Sequence, residues 1–272
     1  MNATSVRPRE LLAVDVGNSS LKWTRCTYDD AMNCRRLADI QRVNTDPQSL
    51  AAWQASLPNE VPMFVASVNR LADSQLVTNQ HTRQLRNRDF PLQIYVKYPD
   101  RVGADRLAAA TAAARLKQPQ QAAICIDAGS AVTVDLISVA GHFEGGAILP
   151  GFGAMAKSLA ANTSLLPQLS PQDVTELQSS LGKCTETAIA SGVRWSVIGG
   201  CYSLCRQYVA QVAPTPCQLF VTGGDAFSIA RGLDELNTLI GPIPIVTELR
   251  VEAELALRGI AYTGAQLLTK SP

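Results

Sequence analysis

The chain has 272 residues, of which 46% are hydrophobic and 17% charged, with a formal net charge of +1. That length holds one large domain or two ordinary ones, and the composition is globular rather than disordered. A near-neutral charge offers no broad field to a nucleic acid or an acidic membrane surface, and no apolar run approaches the ~18 residues of a membrane span.

The opening MNATSVRPRE lacks the apolar core of a secretory leader. Seven cysteines, an odd number without a CxxC pair, fit free thiols in a reducing cytoplasm. The expectation is a cytoplasmic protein with no nucleic-acid or membrane partner. Only His81 and His142 are available as histidines, which argues against histidine-based catalysis or a structural zinc site.

In chain order, residues 10–16 read as a buried strand, and 20–28 and 33–43 as hairpin strands beside it. PQSLAAWQASL (47–57) has helical spacing, VPMFVASV (61–68) is a short apolar strand, and 71–87 reads as a polar helix. PLQIYVKY (91–98) reads as a strand, and GADRLAAATAAARLK (103–117) as a helix with Asp105 in its first turn. QPQQ at 118–121 breaks the pattern and divides the chain into expected domains 1–117 and 118–272. A strand at 122–129 follows, then SAVTVDLISV and FEGGAILPG as hairpin partners around Gly141. A proline-free stretch from Thr187 to Val212 suits one helix, 218–233 reads strand, Gly-Gly turn, helix, and 252–268 reads as a final helix.

Two stretches share one scheme. VDVGNSS (14–20) and IDAGSAV (126–132) each run from an apolar strand through Asp, a small residue and Gly to a hydroxyl, near the start of their half. Either alone is most simply a turn. Together they point to a duplicated α/β unit whose two turns face a nucleotide triphosphate. Glycine lets backbone N–H groups approach phosphate, hydroxyls add donors, and carboxylates hold cations. VTGGD (221–225) adds a third glycine turn between strand and helix, where backbone can approach a nucleotide. Neither a GxxxxGK[ST] loop nor a GxGxxG turn after a strand occurs.

DVGNSSLK (15–22), GADR (103–106), IDAGSAVT (126–133), GGAILPG (145–151), TAIASG (187–192) and VTGG (221–224) jointly resemble the type III pantothenate kinases, a family that includes the Bvg accessory factors. The resemblance implies an α/β fold of duplicated ribonuclease-H-like domains of the actin-like ATPase superfamily, with the active site in the cleft between them, and a homodimer sharing that site across its interface. It implies ATP-dependent phosphorylation of the primary hydroxyl of pantothenate, the first step of coenzyme A synthesis, with Mg²⁺ and a monovalent cation, K⁺ or NH₄⁺.

Carried over by motif, Asp15, Val16, Gly17, Asn18, Ser19, Ser20, Leu21 and Lys22 form the first ATP-phosphate segment, with Asp15 near magnesium. Asp105 is the catalytic base, and Gly103, Ala104 and Arg106 contact the substrate, Arg106 as a partner for its carboxylate. Asp127 is the monovalent-cation ligand, Ser130 an ATP-contacting hydroxyl, and Thr187 a substrate contact. Serine stands at 19 and 130 where the family usually has threonine, which keeps the hydroxyl and loses stiffness at χ1. Tyr98 matches the substrate-contacting tyrosine if the loop before GADR is short, with Tyr95 as its rival. Lys22 either joins the phosphates or points to solvent. Two other readings stand beside this one: a different small-molecule kinase of the superfamily, and a non-catalytic regulator that keeps the fold.

Overall fold

The computed structural model describes residues 9–18, 20–29, 34–58, 60–69, 71, 74, 76, 81–176 and 179–270, with residues 34–37 and 270 described by backbone alone. The chain forms two compact units, the first from Met1–Leu92, Lys97–Ala112 and Leu255–Pro272, the second from Gln93–Val96 and Ala113–Glu254.

In the first unit, β1 (Arg9–Val16) pairs antiparallel with β2 (Ser20–Tyr28) and parallel with β5 (Met63–Ser67). β3 (Cys34–Leu37) and β4 (Gln41–Asn44) both pair with β2, and β6 (Thr82–Gln84) extends the sheet beside β5. Four consecutive residues of β1, Leu11 to Val14, are buried, because the strand is covered on both faces. Helix α1 (Pro47–Ser56) covers one face with Leu50 and Trp53, and starts where the Asp46 carboxylate accepts the Ser49 N–H at 2.9 Å.

The chain's last helix, α7 (Leu255–Lys270), packs on β1 and β5. A Cβ at Gly264 would collide with the Phe64 ring of β5, and one at Gly259 would collide with the Ala108 carbonyl of α2 (Ala104–Leu116). These two glycines bring α7 close to both the sheet and α2. The alanine-rich sequence of α2 makes the contact possible, since Ala combines high helix propensity with little bulk.

The second unit repeats the sheet. β7 (Ala122–Ala128), β8 (Ala131–Ile137) and β9 (Phe143–Pro150) form an antiparallel meander, and β10 (Cys217–Thr222) and β11 (Val246–Val251) continue from β7 as parallel strands. Strand order is β3-β2-β1-β5-β6 in one unit and β9-β8-β7-β10-β11 in the other. This is the duplicated ribonuclease-H-like pattern expected from the sequence. Helices α3 (Phe152–Asn162), α4 (Pro171–Thr175), α5 (Thr185–Val212) and α6 (Ala226–Leu239) belong to this unit. Fully buried Arg194 ties three of them together: from α5 it meets Glu235 of α6 at 3.2 Å and donates to the Thr175 carbonyl, at the end of α4, at 3.2 Å.

Several elements differ from the sequence reading. The segment 91–98 is not a strand: its ladder contact is one bridge from Ile94 to Phe143, held by Tyr95 N–H to the Phe143 carbonyl at 2.8 Å. Leu92, Ile94, Val96 and Tyr98 alternate as a strand's would, but the segment's ladder contact is with Phe143 alone, whose N–H also donates to the Gln93 carbonyl at 2.9 Å. The expected 71–87 helix falls largely on residues outside those described, and its last part is β6 and a 3-10 turn at Asn87–Asp89. The 33–43 strand is two short strands, and α3, α4 and β11 carried no separate expectation. Among the described residues no helix is long and apolar enough to cross a membrane.

Candidate active site

In the first unit the Asp15 corner closes a tight hairpin. Asp15 stands opposite Lys22 on β2 and beside Ala66 on β5, and the Gly17 N–H donates to the Ser20 carbonyl at 3.1 Å. Val16 and Leu21 are fully buried, so only their backbone can serve a phosphate, while Asn18 is exposed at the tip. Ser19 lies outside the described residues. The neighbouring strand steadies the corner: Val68 N–H donates to the Val16 carbonyl at 3.1 Å, and the Asn69 amide reaches the Gly17 carbonyl at 3.4 Å. Asn69 carried no expectation, and nothing in its local sequence marks it.

The Asp127 corner in the second unit has the same layout, with a hairpin turn one residue shorter. Asp127 stands opposite Thr133 on β8 and beside Thr222 on β10, with the Gly129 N–H donating to the Ala131 carbonyl at 3.0 Å. Ser130 is exposed, and its carbonyl accepts the Gly151 N–H at 3.1 Å. Gly223 adopts φ +96°, and a Cβ there would sit 2.6 Å from the Asp127 carboxylate and strike the Ala128 carbonyl. The VTGGD turn is therefore part of the same corner, and the Asp225 N–H donates to the Ala128 carbonyl at 3.0 Å.

Asp105 lies in the first turn of α2, and its carboxylate accepts the Arg106 N–H at 2.8 Å. Burial pushes its pKa up, opposed by that hydrogen bond and by the nearby Arg106 charge. The carboxylate folds back over Gly103, where a Cβ would collide with it. Glycine at that position is what the carboxylate's placement requires.

Beside this turn the first unit has a pocket of about 580 Å³, lined among others by Ser67, Val68, Gly103 and Ala104. It opens beyond the carboxyl end of β5, where open α/β sheets commonly bind ligands. The far wall is the 86–88 turn, which sequence reasoning read as a polar helix. The only signal there was the basic cluster in RQLRNRD (83–89).

Tyr98 belongs to the same unit as Asp105 and is half exposed, with the Arg101 guanidinium 4.6 Å over its ring. Tyr95 belongs to the other unit, where its hydroxyl donates to Gln93 at 2.7 Å. Thr187 sits in the first turn of α5, and its hydroxyl accepts the backbone N–H of Lys183 at 3.0 Å and of Cys184 at 3.2 Å.

The fold and the sequence now place the chain in a class. Among solved structures it resembles a glucokinase from Balamuthia mandrillaris in complex with glucose (TM-score 0.54, 10% identity, 96% of this chain and 95% of that one). It also resembles the ethanolamine utilization protein EutJ from Carboxydothermus hydrogenoformans (TM-score 0.52, 16% identity, 94% and 90% covered). At such identities the likeness shows a shared fold and nothing of activity. The particular family follows from the sequence.

The family model for type III pantothenate kinase matches residues 11–207. The type III pantothenate kinase of Rhodopirellula baltica is 39% identical over 206 residues, covering 71% of this chain and 73% of the relative. That of Synechococcus elongatus is 29% identical over 261 residues, covering 95% and 98%. The chain belongs to the type III pantothenate kinase family.

Proposed function

We propose that this chain transfers the γ-phosphoryl group of ATP to the primary hydroxyl of pantothenate, with Asp105 accepting the hydroxyl proton. Family membership carries the activity: the chain is an enzyme, a kinase of coenzyme A synthesis that uses ATP. The observation that supports the role of Asp105 is its placement. It is a desolvated carboxylate, more basic than an ordinary Asp, in the first helical turn directly after Gly103 and Ala104, which line a pocket. General-base assistance of this kind is typically worth ~10²–10⁴-fold.

Phosphoryl transfer asks a protein chiefly for alignment and charge neutralisation, because its transition state is loose. The backbone N–H groups of residues 15–18 and 20–22 are suited to hold phosphate oxygens, and the exposed Ser130 hydroxyl suits an ATP contact. Magnesium with ATP supplies charge neutralisation at the transferred group. Asp15 fits a magnesium held by one or two carboxylates plus phosphates. Asp127, semi-exposed at the matching strand end, suits a monovalent cation, K⁺ or NH₄⁺. Gly103, Ala104 and Arg106 flank the proton acceptor, and Tyr98 suits the substrate contact better than Tyr95 because it shares a unit with Asp105.

The reading includes a cytoplasmic homodimer in which Thr187 of one protomer contacts the substrate held by its partner. Thr187 already spends its hydroxyl on the start of α5, so that contact would add to the cap rather than replace it.

The test is ADP release from the chain with ATP and Mg²⁺, with and without pantothenate, in K⁺ and then in Na⁺ alone. Turnover that requires both pantothenate and K⁺ is expected. Turnover with a sugar instead, or none with any acceptor, contradicts the activity. Equal rates in K⁺ and Na⁺ contradict the cation.

A further inference from the structure

We propose that Arg42, paired with Lys22 across the sheet of the first unit, holds the phosphate tail of the nucleotide. The inference rests on the kinase reading above, which supplies the nucleotide. It goes beyond that reading because Arg42 and its strand belong to none of the motifs that define the family resemblance.

Strand pairing sets three residues side by side. Asp15 on β1 stands opposite Lys22 on β2, and Lys22 stands opposite Arg42 on β4. Residues at paired positions point to the same face, with Cβ atoms about 4.5–5.5 Å apart in an antiparallel pair. The alternate residues Val16, Leu21, Trp23 and Val43 pack with Leu50 and Trp53 of α1 on one face. Asp15, Lys22 and Arg42 therefore share the other. β4 covers the edge of β2 only along Ser20–Trp23, the part that leads out of the Asp15 corner. On the shared face, the next pair toward the turn is Ser20 with Asn44.

Like charges at directly opposed positions destabilise a sheet. Neither Lys22 nor Arg42 forms a salt bridge or donates a side-chain hydrogen bond among the described residues. Asp46, two residues beyond β4, spends its carboxylate on the Ser49 N–H at 2.9 Å. An edge strand can carry a cation merely to stay soluble. Arg25, further along β2, shows what a compensated cation looks like in this sheet, since its Nε donates to the Glu10 carboxylate of β1 at 3.0 Å. The Lys22–Arg42 pair has no such acid and keeps two positive charges facing each other beside the Asp15 corner. A bound anion removes that repulsion.

Ser20, Lys22, Arg42 and Asn44 together offer a hydroxyl, an ammonium, a guanidinium and an amide, with no carboxylate among them. A polyphosphate presents the complement, several negative charges on acceptor oxygens, and an arginine fork fits two oxygens of one phosphate group. Ser20 and Lys22 already belong to the segment suited to phosphate, so β4 widens that cradle by one strand. Lys22 is half-buried and Arg42 exposed at the sheet edge. The arginine is therefore the one free to fold over a bound tail.

The test titrates ATP with Mg²⁺ against wild type, Arg42→Ala and Arg25→Ala with no acceptor present, then measures both KM values with pantothenate. Arg25→Ala removes the same charge from the same sheet, at a position already engaged by Glu10, and serves as the control. Arg42→Ala should weaken ATP binding about tenfold, the low end for hydrogen bonds to a charged group. Its KM for ATP should rise to match, with kcat and KM for pantothenate nearly unchanged. Arg25→Ala should bind ATP as wild type does. A merely structural role would instead lower the melting temperature and shift both KM values. If Arg42→Ala melts early, Arg42→Gln keeps most of the side chain, removes the charge and should show the loss for ATP alone. Unchanged ATP affinity in the Arg42 variants, or an equal loss in Arg25→Ala, overturns the proposal. Wild type that binds ATP and leaves pantothenate unphosphorylated contradicts the kinase reading, while the titration still decides the role of Arg42.

Discussion

The Asp15 and Asp127 corners repeat one layout, with turns that differ by one residue, and differ further in what stands behind them. At Asp127 two glycines press against the turn, Gly151 on the Gly129 and Ser130 carbonyls and Gly223 on the Ala128 carbonyl, leaving no room for a Cβ. At Asp15 the fit is tight but less severe, since a Cβ on Gly17 would lie 3.2 Å from the Ser20 carbonyl. In the first unit the tightest backbone approach lies elsewhere, where Gly259 meets Ala108 in the helix that carries Asp105. Close packing thus backs one phosphate corner and the helix that carries the proton acceptor. Duplication supplied the scheme, and each copy became rigid in a different place.

This contrast can be broken by adding one methyl at a time. Gly259→Ala drives a Cβ into backbone, where neither partner can rotate away. It should cost about 3 kcal/mol or more and lower kcat by moving α2; an unchanged melting temperature and unchanged kcat would refute the anchoring role. Gly223→Ala combines overpacking of ~1–3 kcal/mol with a left-handed backbone worth about 1 kcal/mol more. Its KM for ATP should rise well beyond that for pantothenate, and an ATP KM equal to wild type would separate the VTGGD turn from the nucleotide. Gly17→Ala should be mildest, below ~1 kcal/mol by denaturant titration. A loss as large as that of Gly223→Ala would erase the difference between the corners.

The repeated Asp–small–Gly scheme was legible because it depends on local chemistry: a buried strand, then a turn that only small residues allow. It foretold a duplicated α/β unit, and the two sheets share one strand order, each with its Asp at the end of the strand that opens a hairpin. The place of Asp105 at a helix start was legible for the same reason. What escaped depends on distant partners. The 91–98 segment has strand-like composition but finds a single rung, and the Arg86–Arg88 wall exists because Asn87 reaches carbonyls more than ten residues away. The opposition of Gly259 and Ala108, about 150 positions apart, has no local signal.

Asp105 offers the most direct test, because function and stability should move in opposite directions. Its pKa is raised in the fold, so stability falls as pH rises from the unfolded value towards the folded one, and the full cost of the ionised carboxylate is present above the folded pKa. Activity needs that ionised form and should fall as pH drops through the same raised value. Turnover and melting temperature should therefore be measured on one preparation of Asp105→Asn, beside wild type, at neutral pH and again near pH 3. The prediction is a kcat lower by ~10²–10⁴-fold with a higher melting temperature at neutral pH, the thermal gain shrinking in acid where wild-type Asp105 is protonated in both states. Near-normal turnover, or a variant that is inactive because it melts earlier, would contradict a buried carboxylate held ready to take the proton.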